Sequence, residues 1–237
     1  MRRLIKQKKG QFIIIAVLII AIMMVSVGAI LYSAVTYYRH EPWEEYLTLI
    51  GNVEQSSRGL VALSLSNHTH TLNTSILKAN LEQWQINLAK IYPGHGIALT
   101  YSLASGTEYS YSLGLTYDWN KTASFSAANV TFNLNITSVG LTGYKFIATA
   151  FLNLTILNVD STNNKTDVIV TGEDGMPIAH LKEDNFQVDG LNIVDVTSRY
   201  DPDYILVYTI DCETSPPPDA TVRVWDQRGI KVVAKNT

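Results

Sequence analysis

Cysteine is almost absent from this 237-residue chain, and that scarcity sets the first limits. Cys212 is the single thiol, which excludes an internal disulfide and any cysteine-rich metal site. A domain outside the reducing interior of a cell must then hold together by core packing. Charge is missing altogether from Phe12 to Val35, where only Ser26, Gly28, Tyr32 and Ser33 interrupt an apolar run. Also lacking are a G-x-S-x-G turn, an H-E-x-x-H pair, a phosphate-binding glycine loop and a nucleophile beside a plausible base. No motif therefore points to an enzyme. Basic charge is scarce where nucleic acid would need it. Of the 18 Lys and Arg, Arg2, Arg3, Lys6, Lys8 and Lys9 crowd the N-terminus, leaving 13 basic against 21 acidic residues beyond it. A surface of that sign does not suit phosphates.

What is present begins with the uncharged run. At about 1.5 Å per residue its 24 positions reach about 36 Å, and a bilayer core is roughly 30 Å thick. A secretory signal needs an apolar stretch of only about 7 to 15 residues, so this run is long enough to be a transmembrane helix in contact with membrane lipid. Clustered Lys and Arg remain on the cytoplasmic side, which predicts a single-pass protein of the cell membrane with residues 1–10 inside and everything after about Tyr37 outside. Tyr32, Tyr37, Tyr38 and Trp43 are placed for an aromatic belt at the far interface.

Residues 11–37 form the expected span and 38–93 an extracytoplasmic helical segment. Within it, Glu41 to Leu65 has few breakers after Pro42, which a first helical turn tolerates. A second helix follows a cap at Asn73 or Thr74, with Leu77, Leu81, Trp84, Leu88 and Ile91 on one stripe, and ends at Pro93-Gly94. That stripe can pack on the first helix or on a following sheet. From 94 to 160 the period becomes two. Tyr109, Tyr111, Leu113, Leu115, Tyr117 and Trp119 alternate, as do Val130, Phe132, Leu134 and Ile136 and the run Tyr144 to Ile156, across a turn with Gly140 and Gly143. This predicts an antiparallel meander with one wet face. After the hydrophilic link 160–165, short strands are expected at Asp167 to Thr171, Phe186 to Val188, Ile193 to Ser198, Tyr204 to Asp211, Thr221 to Asp226 and Ile230 to Val233. The overall expectation is an α+β protein.

Asn-X-Ser/Thr sites occur seven times, at Asn67, Asn73, Asn120, Asn129, Asn135, Asn153 and Asn164, all beyond the span. They are glycosylation candidates, and Asn135 and Asn153 fall on the polar face of expected strands, where a glycan would project into solvent. His68 and His70 flank one residue but read as a loop beside Asn67 rather than a metal pair. Asp174, Asp184, Asp189, Asp201 and Asp203 sit in expected turns without EF-hand spacing, so no metal or cofactor is expected.

Two stretches resemble known families. The string Val168 to Ile178, with its Gly-Glu-Asp-Gly-Met-Pro turn, and the pair of strands around Val222 to Ile230 resemble immunoglobulin-like or transthyretin-like surface modules, which implies a small C-terminal Ig-like β-sandwich over 166–237. The basic leader ending Lys8-Lys9-Gly10-Gln11-Phe12 resembles the class III signal peptides of archaeal type IV pilins and archaellins. That resemblance implies cleavage after Gly10, a mature chain starting at Gln11, and apolar helices that pack with copies of the chain or with other pilin-like subunits. Many members carry Glu at the fifth mature position, where assembly is guided; this chain has Ile15. The expectation is a pilin-like surface protein with a structural or interaction role, against the alternative of a stand-alone signal-anchored protein that binds envelope components through its β module.

Overall fold

The structure is a computed structural model that describes residues 2–105 and 110–237; side chains are described for 14–33, 44–105 and 110–237. It is α+β, with antiparallel sheets throughout. Helix α1 runs Arg2–Thr71 and α2 runs Ile76–Ile91. The strands are β1 Ile97–Leu103, β2 Leu115–Asp118, β3 Ala123–Ile136, β4 Leu141–Asp160, β5 Lys165–Thr171, β6 Phe186–Val188, β7 Ile193–Tyr200, β8 Leu206–Cys212, β9 Thr221–Trp225 and β10 Lys231–Lys235. The chain divides into two compact units, Met1–Val53 and Glu54–Thr237, and α1 contributes to both.

In the first unit, Ile14–Ser33 is a 20-residue helical stretch long and apolar enough to cross a membrane, and none of its residues is buried. Ile14, Met24, Val25 and Tyr32 are each at least two-thirds exposed. The one polar hydroxyl in its middle is satisfied internally, since Ser26 Oγ donates to Ile22 O at 2.8 Å. The Ser26 hydroxyl is thus met within the helix, which is what a hydrocarbon environment demands of a polar group. The two helices expected on either side of Pro42 are one element, because the helical backbone continues without interruption from Arg2 to Thr71. Tyr37, Tyr38 and Trp43 of the expected belt lie outside the residues whose side chains are described.

The second unit is built on a seven-stranded sheet in the order β1-β3-β4-β5-β8-β7, with β2 also paired to β3, and a three-stranded sheet β10-β9-β6. Strand β3 shows why the sheet is two-faced. Its even positions, from Ser124 through Val130, Phe132 and Leu134 to Ile136, are buried, whereas Asn129, Thr131, Asn133 and Asn135 are half-exposed. On the inner face Phe132 and Phe146, opposed in the β3–β4 register, stack with ring centroids 5.0 Å apart. Further along, Ser126, Ala128, Ala148 and Ala150 are small and buried, and there β10 crosses closely: Ser126 Oγ donates to Lys231 O at 2.7 Å.

Helix α2 contacts both partners proposed for its stripe. Trp84 Nε1 donates to Ser57 Oγ on α1 at 3.1 Å and Asn80 Nδ2 to Ser64 Oγ at 2.9 Å, while Gln85 Nε2 donates to Leu99 O on β1 at 2.6 Å. Leu77, Leu81 and Leu88 are buried, but Ile91 is 56% exposed, so the stripe is shorter than its periodicity. The cap residue is Ser75 rather than Asn73 or Thr74; Asn73 instead accepts the Ser75 N–H in an Asx turn.

Two expectations need correction. The alternating run 109–119 is not one strand. Ser110, Leu113 and Gly114 have positive φ, and only Leu115–Asp118 pairs with β3; Tyr109 lies outside the described residues. A left-handed residue breaks the pleat whatever the pattern of side chains. The second concerns the link at 160–165, which is not a boundary between sheets. It is a β4–β5 turn, with Asp160 opposite Lys165, so β5, β8 and β7 extend the meander's own sheet, while β6, β9 and β10 form the second sheet.

Candidate functional site

Expected site residues fall in very different settings. Gly10 and Gln11 lie in the first turns of α1, outside the residues whose side chains are described. Asn73 and Asn120 are exposed in loops, and Asn164 is half-buried in the β4–β5 turn. Asn67 is half-buried on α1. Asn129, Asn135 and Asn153 sit on the outward face of β3 and β4, but they do not project freely, being half-buried between neighbouring strands. Asn135 Oδ1 accepts the Gly143 N–H at 2.6 Å, and Asn153 Nδ2 donates to Thr155 and Thr171 hydroxyls at 3.3 and 3.4 Å.

The histidine pair is divided between partners. His68 Nδ1 lies 3.0 Å from Asn73 O and its ring 5.7 Å from that of Tyr117, whereas His70 Nε2 lies 3.1 Å from Gly229 O. Among the described residues no group of three or more His, Cys, Asp or Glu side chains gathers as a metal would require. Asp174 and Asp189 have positive φ in turns, and Asp201 caps its own loop by accepting the Asp203 and Ile205 N–H groups. Cys212 is buried, and burial, with Asp211 beside it, pushes its thiol up, away from reactive thiolate.

The most concentrated set of charges was not singled out by the sequence. Arg228, in the β9–β10 turn, pairs with Asp226 at 2.7 Å and with Glu173 at 2.5 Å, and its Nη2 donates to Phe151 O at 3.0 Å. Glu173 accepts the Phe151 N–H at 2.8 Å. Phe151 lies just before the first β4 residue that β5 pairs, Asn153, so these two side chains complete the ladder where β5 has turned away. Asp226, 5% exposed, also accepts the N–H groups of Arg228 and Ile230, which closes the hairpin. Burial pushes the Glu173 carboxyl up, but hydrogen bonds from Arg228 and from backbone N–H groups outweigh it and hold it below its ordinary range. For Arg228, burial acts downward, and Glu173 and Asp226 more than offset it.

Two shallow depressions flank this cluster. One is lined by Tyr111, Ala127, Thr149, Phe151 and Glu173, the other by Pro177, Ile178, His180, Asp226 and Arg228. The charges between them are committed to one another and to the backbone, so the arrangement acts as a clamp that fixes the β9–β10 hairpin to the edge of β4. The same hairpin is seated on α1 from its other side, where Ser66 Oγ donates to Gly229 O at 2.9 Å and Thr69 Oγ1 accepts the Lys231 N–H at 3.2 Å.

No family model, no curated protein and no solved structure matches this chain.

Proposed function

We propose that this chain is a single-pass cell-surface protein, held in the membrane by the apolar stretch of α1 with its N-terminus cytoplasmic, and that the unit Glu54–Thr237 performs a structural or interaction role outside the cell rather than catalysis. The observation that carries the reading is the Ile14–Ser33 stretch, 20 helical residues without charge and without burial. Exposing that much Ile, Leu, Val and Met to water costs about 25 cal/mol per Å², so lipid or other apolar helices must cover it. The basic leader on one side supports the orientation.

The finer reading is a pilin-like or minor-pilin-like subunit, cut after Gly10, whose freed helices associate with each other or with related subunits. Its support is the Lys8-Lys9-Gly10-Gln11 junction directly before the apolar helix. Ile15, in the place where many pilins have Glu, favours the second reading, a permanently anchored surface protein that binds envelope components through residues 166–237. The six strands of that region divide three and three between two sheets, and because β5, β8 and β7 continue the β3–β4 sheet, an Ig-like sandwich there would share that sheet with the meander.

Mass and N-terminal sequence of the chain purified from the membranes that contain it separate these readings. A mature start at Gln11 supports the pilin-like route, and sheared filaments containing the chain complete that case. A chain retaining Arg2 to Lys9 removes it and leaves the permanent anchor. Protease added to intact cells checks the orientation: the region after Tyr37 is expected to be digested, and its protection overturns the topology.

A further inference from the structure

The seven Asn-X-Ser/Thr sites are alike in sequence, but the fold makes them chemically unequal. Transfer of a glycan forms a bond from the asparagine Nδ2 to C1 of a sugar. It breaks the bond from that carbon to the phosphate of a lipid-linked oligosaccharide, which leaves as the lipid phosphate, and the amide proton passes to a base of the transferase. The transferase must reach the amide and the hydroxyl two residues later together, over a short length of backbone it can hold in its own groove. A site therefore needs an exposed asparagine, an accessible hydroxyl, and backbone not committed to a helix or to strands on both sides.

Asn67 fails on its hydroxyl and its backbone. It lies inside α1, and Thr69, fully buried, donates to Ser66 O and accepts the Lys231 N–H beneath the β9–β10 hairpin. Asn164 is in a turn, but the Thr166 side chain on which it depends is fully buried in β5. Asn129, Asn135 and Asn153 are held within strands that pair on both sides: Asn129 lies opposite Thr149 and its own N–H donates to Gly114 O, Asn135 lies opposite Ala98 and accepts from Gly143, and Asn153 lies opposite both Phe125 and Thr171.

Two sites have an exposed asparagine in a loop, outside any helix or strand. Asn73, Thr74 and Ser75 are all exposed in the loop between α1 and α2. There the Asn73 Oδ1 accepts both the Ser75 N–H at 3.0 Å and the Ser75 hydroxyl at 2.8 Å, which places the hydroxyl on the amide and draws electron density toward its oxygen. Asn120 is exposed in the β2–β3 loop with φ 63°. Its N–H donates to Val233 O at 3.0 Å and Thr122 O accepts the Ile156 N–H at 2.9 Å, isolated bonds outside any paired ladder. The half-buried Thr122 has its Oγ1 3.0 Å from the Thr237 hydroxyl. The two loops are linked by a row of side chains: His68 touches Asn73 O and the Tyr117 ring, and Tyr117 lies tilted against Trp119, next to Asn120, with centroids 4.6 Å apart.

We propose that Asn73 and Asn120 are the N-glycan acceptors of this protein and that Asn67, Asn129, Asn135, Asn153 and Asn164 are left unmodified. The inference rests on the reading that the second unit lies outside the cell. It predicts glycans on the two loops joined by His68, Tyr117 and Trp119, leaving the outward face of β3 and β4 bare.

The test is site-by-site glycopeptide mass spectrometry on the full chain purified from membranes of the cells that make it. Glycan mass at Asn73 and at Asn120, with the other five asparagines at bare mass, is the expected result. A glycan at any of those five, or bare mass at either Asn73 or Asn120, overturns it. Asn73→Gln and Asn120→Gln, at exposed positions outside the core, are each expected to remove one glycan from the intact mass. Protease treatment of the same cells separates two failures. A bare chain that is cleaved from outside refutes the acceptor assignment alone, whereas a bare chain that is protected refutes the outward orientation with it.

Discussion

Arg228 illustrates how one residue decides local architecture. Its guanidinium is shared by Asp226, Glu173 and Phe151 O, a planar donor set that lysine cannot reproduce. Arg228→Ala leaves Asp226, with its side chain 3% exposed, as a nearly buried charge with fewer partners. Loss of roughly 2–3 kcal/mol of stability is expected, read from the denaturant midpoint of the full chain in detergent. The exposed pair Lys78–Glu82, at 3.8 Å, provides the contrast: Lys78→Ala is expected to cost less than about 0.5 kcal/mol. Acid should act on the same clamp. The Glu173 carboxyl is lower when folded than when unfolded, so its contribution is fully present above the ordinary carboxylate range near 4.5 and is lost as pH falls through the folded value. Stability is therefore expected to hold from pH 7 to about pH 5 and then decline, and Glu173→Gln is expected to flatten that decline. An unchanged acid limb in the variant would show that other carboxylates dominate.

At the scale of elements, periodicity and burial give different answers for α2. Leu81 and Ile91 occupy the same sequence stripe, but Leu81 is fully buried and Ile91 is 56% exposed. Leu81→Ala is expected to cost about 2–5 kcal/mol, and Ile91→Ala less than about 0.5 kcal/mol, in the same unfolding measurement. Equal losses would mean that the stripe is buried along its whole length. The β9–β10 hairpin depends on close approach to α1. Gly229 has φ +78°, and a Cβ there would stand 2.9 Å from Ser66 Oγ. Gly229→Ala combines left-handed strain of about 1–2 kcal/mol with a displaced Ser66 hydroxyl, and is expected to lower the thermal midpoint by several degrees. A midpoint at the wild-type value would show that the hairpin can lift from the helix without penalty.

For the whole molecule, the apolar stretch and the β unit make separable demands. Deleting residues 2–37 is expected to move the protein from the membrane pellet to the supernatant after ultracentrifugation. Retention in the pellet would mean that something in the remaining chain holds it there. Much of this organisation was legible in the sequence. Phe186 to Val188 forms a strand with the bounds predicted for it, and the 130–136 part of β3 and the 144–156 part of β4 follow from alternation. The alternating aromatics from 109 to 119 misled, because alternation records which side chains are apolar and not whether the backbone turns. Gly114 was the local sign of that turn; a Cβ there would meet Asn129 O, Leu77 and Leu103, each within about 3.2 Å. The Glu173–Arg228 clamp left no such sign, since its members are 55 residues apart and each looks like an ordinary turn charge.

The amino-acid sequence alone determined the uncharged stretch, its basic flank, the single thiol and the two periods, because these depend only on residue type and spacing. Only the tertiary structure decided that β5, β8 and β7 continue the meander's sheet, that the β9–β10 hairpin is gripped between α1 and the edge of β4, and which hydroxyls of the seven asparagine sites stay at the surface. Those are long-range pairings. Burial of Thr69 or Thr166 is set by chain that lies far away in sequence, and no local pattern carries it.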